Sequence, residues 1–84
     1  MPYIKSQDRI QFDKILEQLP EIKVKGELEY CIYKLMVKYM STKERRYSTL
    51  HDTVYSAHHC GDEFRRRNLD IRENEAIAEN GDVI

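Results

Sequence analysis

The stretch GELEYCIYKLMVKYM, residues 26–40, constrains this chain most. Read at helical spacing, it carries one apolar stripe of Leu28, Ile32, Leu35 and Tyr39 and a second, opposite stripe of Tyr30, Tyr33, Val37 and Met40. A helix that is apolar on two faces has to be covered on both. In a chain of 84 residues few elements are left to do the covering. Such a helix is either the middle of a small bundle or in contact with another subunit. The tyrosines favour an interface, because each combines a large apolar ring with a polar tip. A homo-oligomer through the Tyr30/Tyr33/Val37/Met40 face is therefore expected.

Three further helices flank this one in the sequence pattern. Phe12, Ile15, Leu16 and Leu19 follow helical spacing after Ser6, and Pro20 ends the run, so the first helix spans about residues 7–19. Gly26 opens the second, at about 26–40. The third, at about 49–68, has Ser48 as a capping residue and Leu50, Val54, Ala57, Gly61 and Phe64 as its inward stripe. Gly61 lies four residues after Ala57, a spacing that suggests close approach of another backbone. Ile71 and Ile77 anchor a short fourth helix at about 71–79, closed by Asn80-Gly81, and the last residues leave as an extended tail. The fold class is all-α, a single helical domain over 1–84.

Charge and cysteine usage set the surroundings. The chain carries a formal net charge of −1. Residues 70–84 hold the base Arg72 and the acids Asp70, Glu73, Glu75, Glu79 and Asp82, so an acidic tail follows a mildly basic body. That body is too weakly basic to favour duplex binding, which rests on many phosphate contacts. Cys31 and Cys60 both sit in helical patterns and read as buried free thiols, which fits a reducing cytoplasm. No signal peptide and no apolar run of membrane-spanning length is visible, so a soluble cytoplasmic protein is expected.

The chemistry is concentrated in HHCGDEFRRR, residues 58–67. Adjacent His58 and His59 diverge by about 100° on a helix. His51 and His58 share a flank but lie about 10 Å apart along the axis. The pairs His58–Asp62 and His59–Glu63 have ligand spacing, yet each supplies two ligands where a metal site needs three or four. No metal, cofactor or catalytic residue is expected from this stretch. The arginines carry more information. Arg45, Arg46 and Tyr47 precede the third helix, and His51, Tyr55, His58 and Arg65 line one flank of it. Guanidinium forks grip phosphate or carboxylate, and rings stack on bases, so these seven residues form a candidate binding site for an anionic, nucleotide-like ligand.

The motifs MPYI, GELEYCIYKL, RYSTLHD, EFRRR and ENGDV, in this order, resemble a small family of uncharacterised phage and bacterial proteins. Its members open with MPYI, carry a GxLNYxIxxL helix and a helix running into EFYRR, and close with ENGDVY. The chain departs from that pattern at YSAHHCGD, where the family is more apolar, and at Arg65, where the family has tyrosine. The resemblance implies a small cytosolic helical fold, in the host cytoplasm where the gene is a phage's, and transfers no catalytic residue. The expected function is a non-enzymatic accessory protein that is oligomeric and binds a host component or sequesters an anionic small molecule, as a counter-defence protein does. Two other classes stay open: a nucleic-acid-binding regulator, and a metal-dependent enzyme built on the His51/His58/Asp62 flank.

Overall fold

The computed structural model describes residues 2–84 and is all-α, with no strand among the described residues. Helix α1 spans Ser6–Glu17, α2 Lys25–Met40, α3 Tyr47–Phe64 and α4 Asp70–Asn80. Local chemistry accounts for the ends. After α1 the chain tightens, with the Gln18 and Leu19 amides donating to Ile15 and Leu16 carbonyls, and Pro20 follows. The Glu27 carboxylate reaches back to accept from the backbone amides of Lys23 at 2.7 Å and Val24 at 3.3 Å, fixing the start of α2. Gly81 closes α4 at φ 89°, ψ 154°, a conformation that only glycine adopts without strain, and its amide donates to the Ile77 carbonyl.

The third and fourth helices are joined. Residues Arg65–Leu69 form a π-helical turn in which the Asp70 amide donates to the Arg65 carbonyl, five residues back. Asn68 Nδ2 donates to the Phe64 carbonyl at 3.1 Å, supplying a second donor at the point where the register widens. Where the sequence pattern suggests a break, the helix absorbs one extra residue and continues. Residues 47–80 thus make a rod of about 51 Å, which accounts for the longest dimension of the molecule, 50 Å.

α2 folds back on α3 as a helical hairpin, with Met36 and Met40 of α2 and Thr49 and Ala57 of α3 half-buried and Thr53 buried. The contact line on α2 passes through Met36, between the two apolar stripes, and Met40, at the edge of the second. On α3 it lies to one side of Leu50 and Val54. The first stripe of α2 and Tyr30, Tyr33 and Val37 of the second stay exposed, as do Leu50, Val54 and Phe64 of the expected inward stripe of α3. No apolar side chain among the described residues is buried; the one buried residue is Thr53, at 7% exposure, whose hydroxyl donates to the Thr49 carbonyl.

Three sequence expectations need correction. Ile71 and Ile77 anchor α4 to nothing, and both are exposed. A methyl group placed on Gly61 meets nothing within 4 Å, so no other backbone among the described residues passes there. Cys60 is an exposed thiol and Cys31 a half-buried one, both free, so neither is a core thiol. Among the described residues α1 packs on no other helix, every ion pair joins residues at most four apart, and no helix is long and apolar enough to cross a membrane.

Candidate functional site

The outer flank of α3 is set by how the helix begins. The Arg46 amide donates to Thr49 Oγ1 at 3.2 Å, and the Thr49 hydroxyl lies 2.6 Å from the Glu44 carbonyl as its acceptor. This clasp starts the helix at Tyr47. From there Tyr47, His51, Tyr55 and His58 recur every three or four residues on one face. Their rings form a ladder with centroid separations of 5.7, 4.2 and 5.5 Å. The central pair, His51 and Tyr55, is stacked with 26° between planes, and the outer pairs are tilted. All four residues are exposed. The ladder covers about 16 Å of helix axis.

Arginines stand at both ends, each beside a carboxylate. At the head, Arg46 pairs with Glu44. At the foot, Arg65 lies 3.3 Å from Asp62, and both line a shallow depression with Ala57, His58 and Gly61. Exposed ion pairs of this kind contribute at most about 1 kcal/mol, so either arginine can exchange its carboxylate for a stronger anion. Arg45 does not join them. The backbone is extended at Arg46 (φ −108°, ψ 158°), which sends neighbouring side chains to opposite sides, and Arg45 lies on the rim of the groove between α2 and α3. Six of the seven expected residues thus belong to the outer side of α3 and its entry loop, and one faces elsewhere.

A second cluster went unread in the sequence. The Glu63 carboxylate accepts from Arg66 Nε at 2.6 Å and lies 3.8 Å from Arg67 Nε. Its side chain is only 15% exposed. The hydrogen bond from Arg66 holds this carboxyl below the usual carboxylate range, with a smaller contribution from the Tyr3 hydroxyl and partial opposition from burial. The same bond raises the Arg66 guanidinium. The Arg67 guanidinium sits over the Tyr3 ring, 5.1 Å from its centroid, so the segment before α1 is pinned to the π turn. The spacing of Glu63 to Arg66 and Arg67 is a readable helical ion-pair signal; the arrival of Tyr3 is not, because it depends on where α1 leads the chain.

No group of three or more His, Cys, Asp or Glu able to hold a metal ion occurs among the described residues. His51 and His58 share the ladder with Tyr55 between them, while Asp62 is engaged with Arg65. Chemically the flank offers ring faces and edges along its length and guanidinium forks at its ends.

Fold and flank together define a small all-α protein whose distinctive surface is an exposed aromatic and basic helix face. The chain belongs to the family described as Domain of unknown function (DUF6899), whose model matches residues 1–83. No curated protein and no solved structure matches it.

Proposed function

We propose that the protein is a non-enzymatic accessory protein, of the kind phages carry, that sequesters an anionic, nucleotide-like ligand along the outer flank of α3. The observation that carries this reading is the ladder of Tyr47, His51, Tyr55 and His58, open to solvent and bracketed by Arg46 and Arg65. A base stacks on such rings whatever its identity, and a phosphate takes the fork of an arginine. A role in counter-defence, by withholding a nucleotide signal or occupying a host component, is supported by the resemblance of MPYI, EFRRR and ENGDV to phage proteins. Regulation through nucleic acid is less favoured, because Arg46, Arg65, Arg66, Arg67 and Arg72 each have an acid within four residues.

The test is calorimetric titration with a purine nucleoside triphosphate, the matching nucleoside and inorganic phosphate. The triphosphate is expected to bind, and Tyr55→Ala to weaken it about tenfold or more, the scale of one lost stacking contact. Arg65→Gln is expected to weaken the triphosphate but not the nucleoside. Absence of triphosphate binding at millimolar concentration, or binding indifferent to both substitutions, overturns the reading.

A further inference from the structure

The chain exposes far more surface than a protein of its size retains. Its accessible area is 8001 Å². A compact monomer of 10.1 kDa exposes about 5,300 Å², leaving an excess of about 2,700 Å². Its radius of gyration is 16.7 Å, against about 12 Å for a compact domain of this length. A standard interface hides about 800 Å² per partner, and an obligate homodimer about 1,000–2,500 Å² per chain. An excess of this size matches what an interface of the obligate class hides.

The chain itself carries both halves of such an interface. One half is α1 with the turn that follows it, whose stripe of Phe12, Ile15, Leu16 and Leu19 is uncovered; α1 packs on no other helix among the described residues. The other is the open groove of about 480 Å³ between α2 and α3, lined by Tyr33, Met36, Val37, Met40, Leu50 and Val54. The charges match. Lys43 and Arg45 lie at the loop end of the groove. Asp8 stands one turn before Phe12 on the same side of α1, and among the described residues it has no ion-pair partner. We infer that a second copy covers this surface in a two-fold exchange: α1 of each copy lies in the α2–α3 groove of the other, with Asp8 towards Arg45. Self-complementarity is what a two-fold interface requires, and this arrangement uses each half twice. It is independent of the ligand proposed for the outer flank of α3, which stays open.

The experiment mixes two isotopically distinct batches of the full chain, unfolded and refolded together, then measures mass in solution and amine cross-links. The expected particle has twice the 10.1 kDa chain mass, with Lys5 or Lys14 of one isotope linked to Lys43 of the other. Arg45→Glu is expected to weaken the dimer about tenfold to twentyfold, and Asp8→Lys in the same chain to restore it, the scale of the two rim ion pairs that the two-fold axis generates. A monomer overturns the inference. So does an oligomer whose links between α1 and the groove stay within one isotope, or one with no such links.

Discussion

The outer flank of α3 and the Tyr33 and Val37 side of α2 are equally open to solvent in a single chain and differ in what that openness means. Tyr55 on the flank is 46% exposed and Val37 on α2 is 48% exposed. Around Tyr55 the neighbours are imidazoles and, further along, charged residues, all of which hydrate well. Around Val37 they are Tyr33, Met36 and Met40 beside a groove that continues into Leu50 and Val54. The first surface is comfortable in water and suited to an exchangeable ligand. The second leaves a contiguous apolar patch exposed, which soluble chains cover with protein. Exposure alone does not distinguish a binding face from an unfinished core; the chemistry of the neighbours does.

The sharpest way to break this comparison is to place the same lysine at both positions. Val37→Lys is expected to cost about 2–3 kcal/mol in denaturant unfolding at fixed concentration if a second copy covers the groove as inferred above, because it then removes a buried side chain and puts a charge in its place. Tyr55→Lys is expected to stay within about 0.5 kcal/mol, as surface changes do. Equal effects would mean that both faces are solvated in the working protein.

A smaller effect sharpens where the covering stops. Gly61→Ala is expected to stabilise the protein by about 1 kcal/mol, since alanine is the better helix former and the added methyl has open space. A loss of stability would place another copy's backbone against that turn of α3, and would restore the close approach that Ala57 and Gly61 suggest in the sequence.

The smallest expected effect concerns the pinning of the N-terminal segment. Glu63 has its carboxyl held below the ordinary value of 4.5 by Arg66, so its contribution is fully present above that pH and is lost as pH falls through the lowered value. Tyr3 ring resonances are expected to shift towards those of a free segment across that acid range. Glu63→Gln is expected to abolish the acid transition of Tyr3. An unchanged Tyr3 profile in that variant would separate the segment from the carboxylate.

Much of the architecture was legible because its causes are local. The spacing of Phe12, Ile15, Leu16 and Leu19, the stop at Pro20 and the glycine at 81 act within a turn or two of chain, and the helices start and end close to where these signals lie. The flank of Tyr47, His51, Tyr55 and His58 was legible for the same reason, since helical periodicity alone puts them in line. The π turn was not, because a widened register leaves no mark in an apolar pattern and Asn68 reads equally well as a helix end.

The sequence by itself determined the helices, their approximate limits and which residues share a face, because backbone hydrogen bonding and side-chain spacing are settled among near neighbours. Only the tertiary structure decided that α2 meets α3 along Met36 and Met40, that Arg45 lines the α2–α3 groove, that Tyr3 returns to Arg67, and that α1 packs on no other helix among the described residues. Apolar stripes are interchangeable in composition, and which pairs with which depends on the geometry of distant segments rather than on the stripes themselves.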